Sequence, residues 1–270
     1  MPLPVFKNTN SNAADETTPK VTIWTGGVNS NYTTKGNYTN GAPTGGSTVY
    51  VVNSSVNITT NVDQPSTSLK EFRVGKSYTG QIGTRSSPLK IMAERLVIDN
   101  TQAEINIRGS FSDIHIINAS SRVKVGGSQT KKLERLIYHG AASNFEMYDG
   151  QCNRLILGPG NTQVTAPSGI TNDNLLATVS GFDEIRCGKG SKVVTNAGVN
   201  DLNVTGHVEV SSASNVFNAR LLEGSRLTTK TTGRIDGKLT MFGGELDVRN
   251  PSSGDSFVID NADIFGGKLF

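Results

Sequence analysis

The chain has 270 residues, 35% of them apolar, with 30 glycines and only 6% aromatic residues. That composition excludes a helical bundle, which would draw on Ala, Leu, Glu and Lys, and the regular short clusters of Val, Ile and Leu exclude disorder. The net charge of +3 comes from interspersed signs with no basic stripe, which speaks against nucleic acid as a partner. Many short strands joined by tight turns fit such a profile. No apolar run reaches the length of a membrane span, so no membrane partner is expected. The two cysteines, Cys152 and Cys187, fit no metal or redox spacing and read as small wall residues.

Residues 1–20 are polar, carry Pro2, Pro4 and Pro19, and lack periodicity. They read either as a frayed tail or as an extended arm that orders on a partner, with Val5 and Phe6 as its apolar contacts. They contain no apolar segment of a secretory signal, so the expectation is a chain made, at least initially, in a cytoplasm. Residues 21–90 are loop-rich and are expected to form a capping and anchoring β region. Strands are expected at Thr48–Val52 and near Val56–Ile58, with Trp24 as an apolar plug over the first coil.

Residues 91–270 repeat. ERLVIDNTQAEINIRG (94–109) and SDIHIINASSRVKVGG (112–127) share one apolar pattern: Leu96 recurs as Ile114, Ile98 as Ile116, Ile105 as Val123 and Ile107 as Val125, each 18 residues on. Two further units carry Leu136, Tyr138, Phe145 and Met147, then Leu155, Leu157, Val164 and Ala166. Apolar residues two apart point to one face of a strand. A single unit cannot bury that face alone, but stacked units can. The pattern therefore predicts an all-β parallel β-solenoid with coils of about 18–22 residues and a right-handed turn. Leu96, Ile114, Leu136 and Leu155 should form one internal ladder, and Ile105, Val123, Phe145 and Val164 another. An antiparallel sandwich is the alternative. The period is interrupted over 167–183 and resumes with Ile185, Leu202, Leu221 and Leu239. Leu269 and Phe270 should plug the far end or dock on a partner.

Little in the chain points to catalysis. The three histidines, His115, His139 and His207, have no metal-type spacing, and no glycine-rich nucleotide motif is present, so no cofactor is expected. The strongest enzymatic candidate is a set of carboxylates beside first-strand positions: Asp113, Glu134, Glu184 and Asp201. Arg95, Arg154, Arg220 and Lys238 occupy equivalent or nearby positions in other coils, which reads as charge alternation between coils. Val97, Ile137, Ile156 and Leu222 break the outward polar pattern. Ile137 and Ile156 in neighbouring coils would form an exposed apolar stripe suited to a homotrimer of rods, unless a loop covers them.

The stretch IWTGGVNSNYTTKGNYTNGAPTGGSTVYV resembles the opening module of bacterial and viral β-solenoid proteins, found in autotransporter-like passenger domains and in phage surface proteins. The matching residues are Trp24, Gly26, Gly27, Asn37, Tyr38, Pro43, Val49 and Val51, with Tyr38 where tryptophan is common. The resemblance implies a surface β-solenoid. With no export signal read in the chain, the expected setting is the exterior of a phage capsid, and the expected role is structural rather than enzymatic. The chain is expected to be a cement or decoration protein, anchored by its arm (Val5, Phe6) and by Trp24, Tyr32 and Tyr38 to the major capsid protein of the virion. The alternative is a tail spike or fibre that recognises or cleaves a host surface glycan, using Asp173, Asp183 and Glu184 in the 167–183 excursion. A secreted adhesin is a third reading.

Overall fold

The structure, a computed structural model, describes residues 20–127, 133–139, 144–171, 181–210, 215–229, 234–249 and 258–270. Val5, Phe6 and Asp173 lie outside the described residues, as does the arm apart from Lys20. Apart from one 3-10 turn at Lys35–Asn37, the regular structure among them is β. No described helix is long and apolar enough to cross a membrane.

Twenty-one strands join one sheet, and successive layers pair in parallel. The chain is a parallel β-solenoid of about ten turns of roughly 19 residues. Parallel strands need a long connection. Here the rest of each coil supplies it, so every strand lies on its own equivalent one turn away. At about 4.8 Å per layer, ten turns make a rod roughly 45 Å long.

Both expected ladders are present in register. Leu96 pairs with Ile114, Ile114 with Leu136, and Leu136 with Leu155. Ile105 pairs with Val123, and Phe145 with Val164. All of these side chains are buried, each stabilising by about 1.5–3 kcal/mol relative to exposure. Corners are set by polar side chains. Asn100, fully buried, donates to the carbonyls of Gly75 and Tyr78 (both 2.7 Å) and accepts from the N–H groups of Gln102 (2.8 Å) and Ala103 (2.7 Å). Every hydrogen-bonding site of that amide oxygen and nitrogen used here replaces water lost on burial.

Four details differ from the sequence reading. First, parallel stacking already includes Val21–Trp24, Thr48–Val51 and Asp63–Val74, and the strand Leu89–Asn100 runs straight through residue 90. No break in pairing separates a capping region from the repeat. Second, Leu202 pairs with Ala219, not with Leu221, and Ala219 pairs with Leu239. Ala219 and Leu221 are two apart on one strand and both point inward. Alternation alone therefore does not fix the register, and Leu221 takes the place beside Val204 and Met241. Third, the interruption is an insertion into one coil. Leu157 pairs directly with Cys187, a step of thirty residues, and Ile170–Thr171 turns aside to pair with Gly150–Gln151 in a separate small sheet. Fourth, Leu269 and Phe270 do not fold across the end as a plug. They continue the wall, with the Phe270 N–H donating to the Leu246 carbonyl (3.0 Å), and both are exposed.

Candidate partner surfaces

Four groups of residues bear on what the rod can contact. The first is the opening module. Trp24 is fully buried, Tyr32 and Tyr38 nearly so. The Trp24 ring meets the edge of Tyr38 with centroids 5.2 Å apart, and Tyr38 meets Tyr32 at 6.1 Å. Trp24 Nε1 donates to the Val56 carbonyl (3.3 Å), and the Tyr38 hydroxyl donates to the Tyr32 carbonyl (2.6 Å). Asn37 organises the polar loop above them. Its Oδ1 accepts from the N–H groups of Val28 (2.9 Å) and Asn29 (3.0 Å), and its Nδ2 donates to Asn29 Oδ1 (2.9 Å) and the Asn31 carbonyl (2.8 Å). Gly26 has φ +65, and a Cβ there would lie 2.4 Å from the Val56 side chain, so only glycine lets the loop close on the coil. The three aromatics expected at a partner surface are thus inside the cap. They have almost no area to offer a partner in this form, and any contact by this module falls to its polar loop.

The second is the outward column Ile23, Tyr50, Arg73, Val97, His115, Ile137, Ile156 and Arg186, each in register with the next. Ile137 and Ile156 do stack, and both are half-buried. Their stripe is short: His115 bounds it on one side and Arg186 on the other. Val97 points outward yet is buried between Arg73 and His115, and Leu222 lies just past the strand Val216–Leu221, outside this column.

His115 adds a polar device to that column. Its Nδ1 lies 2.9 Å from Nε2 of His139, and the rings stack at 5.1 Å. One nitrogen must donate and the other accept, so the contact fails when both rings are protonated. Burial lowers the His115 pKa, the charge of His139 lowers it further, and Arg95 and Arg135 add to this against the pull of Asp113. The unfolded chain then takes up its proton before the folded chain does. Stability is full above the ordinary value of about 6.5 and falls as the pH drops below it. Melting temperatures between pH 7.5 and pH 5 should show that fall, and His115→Gln should flatten it. An unchanged slope in the variant would assign the acid sensitivity elsewhere.

The third group is the carboxylates. Glu71, Arg95, Asp113 and Arg135 follow one another in register. Arg135 grips Asp113 with two bonds (2.7 and 3.0 Å), and Arg95 lies 3.5 Å from Glu71. Arg154, Glu184, Asp201 and Asn218 continue the column, and Lys238 comes beside Asn218, its N–H donating to Asn218 Oδ1 (3.0 Å). Glu184 binds Arg186 (2.5 Å), and Asp201 accepts from Asn218 (2.9 Å). The expected alternation of charge is clearest from Glu71 to Arg135. Glu134 and Arg220 sit outside the column: Arg135 takes the place next to Asp113, and Arg220 pairs with Asn203 and Thr240. Among the described residues no three His, Cys, Asp or Glu side chains converge to hold a metal ion. Cys152 and Cys187 are buried and unbonded to each other, and burial pushes each thiol up to about 12.

The fourth group was not singled out in the sequence. Phe242 and Phe265 stack face to face, centroids 5.2 Å apart and 11° from parallel, and both are exposed. The Arg220 guanidinium lies 5.1 Å from the Phe242 ring centre. Beside them runs an open groove of about 870 Å³ lined by Glu223, Arg226, Phe242, Glu245 and Lys268. The sequence signal was faint: two Phe-Gly-Gly triplets, 242–244 and 265–267, one coil apart.

No protein-family model, no curated protein and no solved structure matches this chain. The fold and the four surfaces above therefore carry the functional reading by themselves.

Proposed function

We propose that the chain is a structural protein of a phage virion exterior, a cement or decoration protein bound to the major capsid protein. The observation that carries this reading is the outer wall. Its charges pair with one another along the rod, as in Glu71, Arg95, Asp113 and Arg135, leaving a stiff wall suited to many shallow contacts. Such contacts give affinity through summed area and a few anchors. On this reading residues 1–20 and the polar loop around Asn37 attach to the shell. Ile137 and Ile156 join three rods side by side.

The test measures mass and shell binding for the full chain, for the chain lacking residues 1–20, and for Ile137→Lys with Ile156→Lys. The shells are empty phage heads purified from the virus whose genome encodes the chain. The full chain should co-sediment with shells, the shortened chain should not, and the double substitution should lower the mass threefold. Shell binding by none of them would sink the proposal.

Glycan recognition is the second reading, favoured by the exposed Phe242–Phe265 stack beside a charged groove. Flat aromatic faces next to paired charges suit sugar rings. Binding of bacterial surface polysaccharide that is lost in Phe265→Ala, with no binding to shells, would replace the first reading by the second.

A further inference from the structure

Parallel stacking brings together two histidines that the sequence keeps 24 residues apart. His115 is an outward residue of the strand Glu104–Ala119, with Val97 in register in the coil on one side and Ile137 in the coil on the other. Tyr138 pairs with Ile116, and the His139 N–H donates to the Ile116 carbonyl (2.9 Å). His139 thus stands two residues beyond Ile137, on the same outward face and diagonal to His115. The ladder holds both backbones at this spacing, so the two rings meet without the ordering of a loop.

His115 Nδ1 and His139 Nε2 lie 2.9 Å apart, and the ring planes are 24° from parallel. Two nitrogens on one metal ion, at bonds of about 2.0–2.1 Å, would be roughly 2.9 Å apart across a right angle and roughly 3.3 Å apart across a tetrahedral one. The pair stands at the right-angle value. That is the geometry Cu2+ and Ni2+ take with nitrogen and oxygen ligands, and Cu2+ binds such donors most tightly among the divalent first-row ions. Both lone pairs must then meet at one point, so each ring has to swing toward solvent. That side is open, since His139 is exposed and His115 only half-buried. In the neutral pair one proton lies between the two nitrogens. On binding it moves, through water, to the far nitrogen of its own ring, so no net proton is released. The nearby arginines are engaged: Arg135 grips Asp113 (2.7 and 3.0 Å), and Arg95 lies 3.5 Å from Glu71. Among the described residues no third His, Cys, Asp or Glu side chain joins the pair. The site offers two imidazoles and leaves its other positions to water, too few protein ligands for a structural zinc site.

We infer that His115 and His139 form a surface site for a divalent transition-metal ion, with Cu2+ the best fit, bound by His115 Nδ1 and His139 Nε2. The bound ion links two neighbouring coils across the outer wall. The site is independent of whether the rod attaches to a shell or to a glycan.

The test titrates the full, untagged chain with Cu2+ at pH 7.5, followed by calorimetry and by electron paramagnetic resonance. Wild type is compared with His115→Gln, His139→Gln and His207→Gln. His207 is the control, because its ring meets Thr228 (3.2 Å) on another strand. Wild type should take up one equivalent of Cu2+ whose spectrum carries the hyperfine pattern of two imidazole nitrogens. His115→Gln and His139→Gln should each remove that pattern. Each should weaken binding by more than the roughly tenfold that loss of even an outer-shell partner costs. His207→Gln should keep both the pattern and the affinity. His139 is exposed and lies past the end of its strand, so His139→Gln leaves the ladder intact, and circular dichroism of each variant checks this. Copper held equally by all four chains overturns the site. A wild-type spectrum without two imidazole nitrogens overturns it too. Loss in only one of the two pair variants would mean that the rings do not share an ion, which overturns it as well.

Discussion

Trp24→Ala should cost about 3–5 kcal/mol, the range for removing a large buried aromatic, and the loss should be local to the first coils. Trp24 is fully buried beneath the polar loop. It touches the edge of Tyr38, and its Nε1 donates to the Val56 carbonyl. That carbonyl also lies 3.0 Å from the Tyr78 hydroxyl, so the substitution removes one of two donors and leaves a cavity beside the other. Burial raises the pKa of the Tyr32, Tyr38 and Tyr78 hydroxyls well above the ordinary tyrosine value, which marks how dry this cap is. In a solenoid each coil contacts only its neighbours, so stability is a sum of coil and interface terms. Damage to the cap should therefore open Val21–Val51 ahead of the middle of the rod. Hydrogen exchange read by mass spectrometry should show faster exchange over 21–60 than over 96–165 in the variant. Trp24→Phe, which keeps most of the ring area, should lose less than half as much. A variant with wild-type stability and uniform exchange would mean that the loop around Asn37 holds the coil closed without the indole.

Most of the middle of this fold is legible in the sequence, because equal coils repeat equal residues. From Leu96 to Val164 the ladders can be written down from the spacing, since a buried parallel stack puts like beside like. Legibility fails wherever the turn, not the strand, sets the register. Ala219 is small and Leu221 is large, so the eye assigns the ladder position to the leucine. Both point inward, and the register that sets Val199 on Val216 places the alanine beside Leu202. The first three strands are hidden for a related reason. Their steps are longer than eighteen residues, with loops such as 25–47 between them, so no fixed period announces them. The partner surfaces are less legible still. Trp24, Tyr32 and Tyr38 are large and aromatic, which is as true of a plug as of an anchor, and only their burial separates the two. The Phe242–Phe265 stack depends on the stagger of two glycine-rich bends, where the register shifts between Phe242 and Glu245. Strand alternation gives no hint of it.

Gly109→Ala should be comparably damaging, for a reason that burial alone does not reveal. The long strand Glu104–Ala119 has 16 residues, most of one coil of roughly 19, so it must turn a corner within its length, and Gly109 stands between inward Ile107 and inward Phe111 where a bend is least obstructed. Gly109 sits at that corner, with Ile91 in the coil on one side and Gly127 in the coil on the other. A Cβ at Gly109 would stand 1.8 Å from the Ile91 carbonyl oxygen. The obstacle is backbone and not a side chain that can rotate away, so relief requires the two coils to separate. Separation weakens ladder hydrogen bonds on both sides of the corner. A loss of about 3 kcal/mol or more is expected, at the upper end for overpacked sites. The corner above is built the same way: a Cβ on Gly127 would lie 2.1 Å from the Gln151 carbonyl oxygen. Glycine at these corners is therefore a condition for stacking at the parallel-strand spacing. The neighbouring Ser110→Ala should change stability by less than about 0.5 kcal/mol, which makes the pair a local control. Urea unfolding of both variants against wild type decides the matter. Equal midpoints for Gly109→Ala and Ser110→Ala would mean that the corner can widen freely, and that the spacing of the coils is set by the ladders of the flat walls alone.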